Sequence, residues 1–321
     1  MHSIWPRLPP TKKWSSLFKV HYTLQRVLLN DPGVAQQALD ALGLRESKGM
    51  HVLEINPGPG VMTGALASVP GIQRVYPFES EEPFYPYLQP PEGQLQDRIR
   101  PLCIPKSEWF TDEDIITECL EKDVPKMPWS EVHPSLFLLA SLPKGSRAPA
   151  YFSKVLQSIN FKSNVYQFGR VPLGLWVPTP LSKKIMAKPG KQGYCKLGIM
   201  CHVATECEAV LSPPATSFTP KCEYELLRIT PRSHLPIQAS LDVFSFIMAK
   251  LFSIPTSQLH KSIKLLGPGA EILLRDLPFS PEVRIRSMTV EQFDAIATAF
   301  EKWPFRPQSL FDYTLAEKED G

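Results

Sequence analysis

A strand that runs into a glycine-proline turn and then a helix restricts the fold of this chain more than any other feature. Residues 51–66 read H-V-L-E-I-N-P-G-P-G-V-M-T-G-A-L. V-L-E-I (52–55) is a short apolar strand, and V-M-T-G-A-L-A-S continues as a helix. Gly58 and Gly60 have no Cβ, so the turn can form and a ligand can lie against the backbone. The same alternation recurs. R-V-Y-P-F-E (74–79), I-R-P-L-C-I (99–104) and S-L-F-L-L-A (135–140) read as further strands. N-D-P-G-V-A-Q-Q-A-L-D-A-L reads as a helix capped by Asn30 or Asp31, with a proline in its first turn. Near-continuous apolar strands alternating with helices predict an α/β fold, a doubly wound, Rossmann-like parallel sheet.

From about residue 236 the period changes. L-D-V-F-S-F-I-M-A-K-L-F, S-Q-L-H-K-S-I-K-L-L and T-V-E-Q-F-D-A-I-A-T-A-F all carry helical spacing. This predicts an α/β domain over 21–235, a smaller helical domain over 236–305 and a tail over 306–321. The proline-dense patches at 83–91, 125–134 and 172–180 read as surface loops. Before Asp31 there is no acid, while Arg7, Lys12, Lys13, Lys19 and Arg26 are basic. Residues 1–20 are therefore expected to be a basic arm or a targeting segment. The net charge of +3 excludes a uniformly basic protein. No apolar run approaches the roughly 18 residues that span a bilayer, so no membrane partner is expected. The six cysteines include no C-x-x-C and read as plain buried thiols, with zinc or disulfides among Cys195, Cys201, Cys207 and Cys222 as the alternative. His21, His202 and His260 lack metal-ligand spacing and read as structural, so no metal is expected.

Open α/β sheets bind ligands beyond the carboxyl ends of their strands. Glu79 ends the next strand, 19 residues after Gly60, where a carboxylate can accept from ribose hydroxyls. That spacing fits a dinucleotide or S-adenosylmethionine. Glu54 favours the second, because an acid just before the loop would repel a pyrophosphate but attract a sulfonium and an ammonium. The third glycine also falls at Gly64, one position late for G-x-G-x-x-G. The plain alternative is a tight strand-helix turn with no ligand.

E-I-N-P-G-P-G-V-M-T resembles the first motif of the rRNA adenine N6-dimethyltransferase family, which includes the mitochondrial transcription factor B proteins. L-L-N-D (28–31), A-K-P-G-K-Q-G-Y-C-K-L-G-I-M (187–200) and S-P-P-A-T-S-F-T-P-K-C-E-Y-E-L-L-R-I-T-P (212–231) resemble further family segments. So do H-K-S-I-K-L-L-G-P-G-A-E-I-L-L and R-S-M-T-V-E-Q-F near the end. The resemblance spans about residues 20–303 and implies an S-adenosylmethionine methyltransferase fold, with Glu54, Asn56, Gly58, Gly60 and Glu79 as the cofactor positions.

The resemblance also shows what has been lost. After its fourth strand the family carries N-L-P-Y, which holds the adenine amine and stacks on the flipped base. Here Ser141, Leu142, Pro143 and Lys144 stand there. Serine is too short to replace the amide, and lysine offers no stacking face. The family's acid after the third strand falls near Ile104, with Glu108 as a displaced substitute. The glutamine and asparagine of its opening motif fall at Arg26 and Val27. A vestigial cofactor pocket and no catalytic residues are expected.

That pattern resembles the fungal mitochondrial transcription factors. It implies a matrix protein that acts as a monomer with a single-subunit mitochondrial RNA polymerase, helps to melt promoter DNA and binds the melted strand. No cofactor is required for that role, although the retained positions leave S-adenosylmethionine open. The alternatives are an active rRNA adenine dimethyltransferase of the mitochondrial ribosome and an assembly factor that binds rRNA without modifying it. For the nucleic acid, Lys183, Lys184, Lys188 and Lys191 cluster with Arg170 upstream, Lys144 and Arg147 sit in the former base-binding loop, and Trp109 is placed to stack on an unpaired base.

Overall fold

The computed structural model describes residues 6–18, 26–90, 95–104 and 113–307. Among the described residues there are nine strands: β1 (Leu28–Leu29), β2 (Met50–Ile55), β3 (Ile72–Glu79), β4 (Leu102–Cys103), β5 (Leu136–Ser141), β6 (Leu173–Pro178), β7 (Thr205–Leu211), β8 (Phe218–Thr219) and β9 (Tyr224–Pro231). Seven form one sheet in the order β4-β3-β2-β5-β6-β9-β7. The first five run parallel, and β9 runs antiparallel to both β6 and β7. β1 and β8 make a separate antiparallel pair.

The expected α/β fold is the observed one. The helix after the glycine turn spans Val61–Ser68, and the helix before β2 spans Pro32–Ala41. Asp31 is the cap of the latter, accepting from Gly33 N at 2.8 Å and Val34 N at 3.3 Å. Two expectations change. The proline patch at 172–180 is not a surface loop, because it contains β6, whose six residues are all buried. Its prolines fall where a ladder tolerates them: Pro172 precedes the strand and Pro178 ends it. The strand expected over 99–104 shortens to Leu102–Cys103, with Ile99 making only an isolated bridge to Val75. Pro101 lies between the two and has no N–H to donate.

The chain divides into two compact units, Met1–Ser182 with Ala204–Ser233, and Lys183–Val203 with His234–Gly321. The excursion Lys183–Val203 thus groups with the C-terminal residues, a division that a boundary at 235/236 does not capture. In that second unit Tyr194 donates its hydroxyl to Met288 O at 2.8 Å, and its ring lies 6.1 Å from that of Phe252. The helices Leu241–Leu251 and Val290–Lys302 pack through Phe246 on Phe300 and Phe252 on Phe293. Thr289 and Gln292 form a reciprocal capping box at the start of the second helix. Thr289→Ala is expected to lower stability by about 1 kcal/mol, read as a lower urea midpoint at unchanged slope.

The start of the chain is not simply a basic arm. Trp14 is fully buried and Phe18 nearly so, within the core cluster that also holds Phe84, Trp176 and Phe218. Phe18 lies 4.9 Å from Phe84 and 5.6 Å from Tyr87, ring centre to ring centre. These rings belong to the short helical turns that follow β3.

Candidate functional site: a cofactor cleft closed from within

β2 lies inside the sheet, flanked by β3 on one side and β5 on the other. The strand order reverses there, and the crevice at the carboxyl ends is where such sheets hold their ligands. The loop from Asn56 to Gly60 sits at that point. Asn56 donates its backbone N–H to Phe78 O at 3.0 Å and has φ 58°, while Gly58 and Gly60 have φ 62° and 88°. Glycine is required at the latter two for the left-handed backbone. At Gly58 there is a second reason: a Cβ would come within 2.8 Å of Leu28 Cδ2. The space a side chain at 58 would need is taken by the chain's own leucine.

Glu79 is fully buried at the end of β3. Its carboxylate accepts from Arg26 through two bonds of 2.6 and 2.9 Å, a planar bidentate pair. It also accepts from the backbone N–H groups of Gly58 (2.9 Å), Ser80 (3.0 Å) and Glu81 (3.0 Å). The Arg26 guanidinium in turn lies 5.2 Å from the centre of the Phe84 ring. Both oxygens that would meet ribose hydroxyls are thus engaged by the protein itself.

Glu54 is buried in β2 and accepts from the Thr63 hydroxyl at 2.7 Å. Burial pushes its pKa up to about 8, and the neighbouring charge of Glu79 adds to the rise against the Thr63 hydrogen bond. At neutral pH the group is held as a carboxylic acid.

Between these groups a cavity of about 30 Å³ remains, lined by Val27, Leu28, Glu54, Asn56, Ser141 and Trp176 among others. That is room for about two waters, against several hundred Å³ for an ordinary small-molecule site. Trp176 packs edge-on to Phe218 at 5.5 Å, and Phe218 lies 5.1 Å from Tyr224. A larger cavity, about 790 Å³, lies in the second unit beside Ile237, Ile272 and Trp303. It contains none of the site residues expected from the sequence.

The loop after β5 carries Ser141–Lys144. Asn56 Nδ2 donates to Ser141 O at 3.4 Å. Leu142 is buried, and its carbonyl accepts from the Tyr224 hydroxyl at 2.9 Å. Lys144 is half-buried and close enough to Cys222 to act on its thiol electrostatically. Arg147 is exposed. Arg170 is not a free surface cation: it donates to Pro231 O and Ser130 O, each at 3.3 Å. In the second unit Lys183, Lys184, Lys188 and Lys191 are all exposed. Trp109 and Glu108 lie outside the described residues, as does His21. His202 contacts Ile185 O at 3.0 Å and His260 pairs with Glu282 at 3.3 Å. Among the described residues no cluster of His, Cys, Asp or Glu could hold a metal.

Sequence reasoning found the Glu54 and Glu79 positions but not what surrounds them. It marked Arg26 as a departure from the family pattern without placing it on Glu79. It read Trp176 as part of a loop. The available signal was the replacement of a neutral amide by a cation at 26 in a segment otherwise like the family's.

A parallel sheet with this order, a glycine turn after β2 and an acid at the end of β3 define a methyltransferase-type Rossmann fold. The profile of the ribosomal RNA adenine dimethylase family matches residues 17–302, and the chain belongs to that family. It is 22% identical over 279 residues to the mitochondrial dimethyladenosine transferase 1 of Bos taurus, covering 84% of this chain and 79% of that one. It is also 22% identical over 328 residues to the mitochondrial transcription factor 1 of Lachancea kluyveri, covering 91% and 93%. Among solved structures, a dimethyladenosine transferase from Plasmodium falciparum superposes with a TM-score of 0.57 at 16% identity, over 86% of this chain and 97% of that one. The 23S rRNA methyltransferase ErmE gives 0.58 at 16% identity, over 85% and 99%. These two likenesses show the fold.

S-adenosylmethionine is the cofactor of methyltransferases with this fold. The residues present do not fit it in this conformation. Arg26 takes both oxygens of Glu79, and Leu28 covers Gly58.

Proposed function

We propose that this protein is a mitochondrial transcription initiation factor built on a degenerate rRNA methyltransferase fold. It partners a single-subunit RNA polymerase in the mitochondrial matrix as a monomer, assists promoter melting and binds the melted strand. The observation that carries this reading is the internally closed cleft, with the Arg26–Glu79 pair where a ribose would be held and Ser141–Lys144 where an adenine would be methylated. It is supported by the nearly full-length match to a protein named as a mitochondrial transcription factor, and by the acid-free basic start of the chain. On this reading no cofactor is needed. The exposed lysines at 183, 184, 188 and 191 and the pair Lys144 and Arg147 supply cations for DNA phosphates. The second reading, an rRNA adenine dimethyltransferase, is favoured by family membership and by the retained Glu54, Gly58 and Gly60.

The test is run-off transcription by the cognate polymerase on duplex and premelted promoters, with and without this protein and without S-adenosylmethionine. Dependence on the protein for the duplex alone is expected. No effect on either template would sink the reading. In the same preparation, calorimetric titration with S-adenosylmethionine is expected to give no binding heat, and micromolar binding would restore the enzymatic reading.

A further inference from the structure

The charge of this chain is unevenly distributed. Residues 132–205 contain no Asp or Glu and ten Lys and Arg, so they carry +10. The rest of the chain, with 25 basic and 32 acidic residues, carries −7. A protein near neutrality ordinarily intersperses the two signs over its surface. Here a run of 74 residues is of one sign.

Within that run lies the helix Arg147–Phe161, which begins just beyond Lys144 and the loop at the carboxyl end of β5. It buries Phe152, Val155, Leu156 and Ile159. On the other side Arg147, Lys154 and Phe161 recur every seven residues and are all exposed. At about 1.5 Å per residue they stand roughly 10 Å apart along one line. Phe161 is 76% exposed. The Tyr151 ring lies beside Lys154, with Nζ 5.8 Å from its centre. Lys162 ends the helix in the left-handed conformation, φ 52°, with its Nζ 5.1 Å from the Trp129 ring centre. Cations and aromatic faces therefore alternate along a surface about 20 Å long, within the first unit alone.

We propose that this helix face is a track for single-stranded nucleic acid. Arg147, Lys154 and Lys162 contact phosphates, and Phe161 stacks on an unpaired base. Cations set along a line suit a polyanion, and a solvated phenylalanine suits a ligand with π-faces. A duplex keeps its bases stacked and offers Phe161 nothing, so the strand is single. The proposal rests on the nucleic-acid reading above and extends it from the β5 loop along the helix.

The test is fluorescence anisotropy with a labelled 20-nucleotide single strand of mixed sequence, over a range of salt, using the full chain. Phe161→Ala is expected to weaken binding about tenfold without changing the salt slope, as loss of one stacked base would. Lys154→Ala with Lys162→Ala is expected to reduce the log–log salt slope by about 1.4. Lys183→Ala with Lys184→Ala serves as the comparison. If the wild type binds and that pair weakens it, while the helix variants bind like wild type, the track is overturned and the broader reading stands. If the wild type binds no single strand, both fall. If Phe161→Ala weakens a 20-base-pair duplex equally, stacking on Phe161 is overturned. If an acidic peptide competes and nucleic acid does not, the face belongs to a protein partner and the proposal is wrong.

Discussion

Arg26→Ala is expected to lower the stability of this protein by about 3–5 kcal/mol, the usual cost of removing one partner from a buried ion pair. Glu79 is fully buried, so the change leaves its charge without its counter-ion. Three backbone N–H groups would still hold the carboxylate, at 2.9, 3.0 and 3.0 Å, so the fold is expected to persist at a lower urea midpoint. Arg26→Gln, which restores the family's residue type, is expected to be nearly as costly, because a neutral amide does not balance the charge. Arg26→Lys should fall between, keeping the charge but not the bidentate fork. Removing the acid as well gives a sharper discriminator. In Arg26→Met with Glu79→Gln no charge is left buried, and part of the loss should return. A change below 1 kcal/mol for Arg26→Ala would mean that the pair does not hold the cleft closed.

Glu54→Gln is expected to act in the opposite direction, and only at higher pH. In the unfolded chain this carboxyl ionises near its ordinary 4.5, whereas in the fold it stays protonated to about 8. Between those values the unfolded state binds fewer protons, so stability falls as pH rises, by up to about 1.4 kcal/mol per unit. Above the folded pKa the slope disappears and the full cost remains. Glutamine keeps an oxygen for the Thr63 hydroxyl and cannot ionise. The variant should match the wild type near pH 4 and exceed it by on the order of 3–5 kcal/mol at pH 8. Chemical denaturation of both proteins across that range measures the difference directly. Parallel pH profiles would show that Glu54 is ionised in the fold.

The central strands were legible because burial on both faces leaves near-continuous apolar runs, as in V-L-E-I and S-L-F-L-L-A. The glycine turn and the helix Val61–Ser68 were legible because a left-handed turn needs glycine at 58 and 60. β6 was hidden by Pro172 and Pro178, which read as loop residues until their places at the ends of the strand are seen. β7 was hidden for another reason: as an edge strand it has only one paired side, and its burial is mixed along T-E-C-E-A-V-L. The acids of the cleft could be named from their spacing. Their neutralisation could not, since Arg26 meets Glu79 across 53 residues and only the fold joins them. The outward row of Arg147, Lys154 and Phe161 depends in the same way on knowing which side of the helix is buried.

The pairing of β1 with β8 has a consequence for the order of assembly. Leu28 and Leu29 find their partners at Thr219 and Phe218, and Asn30 reaches Thr219 across 189 residues. Until these two segments meet, Leu28 is not held over Gly58 by the strand that later pins it. Closure of the cleft is therefore a long-range event that waits on contacts spanning 189 residues of chain.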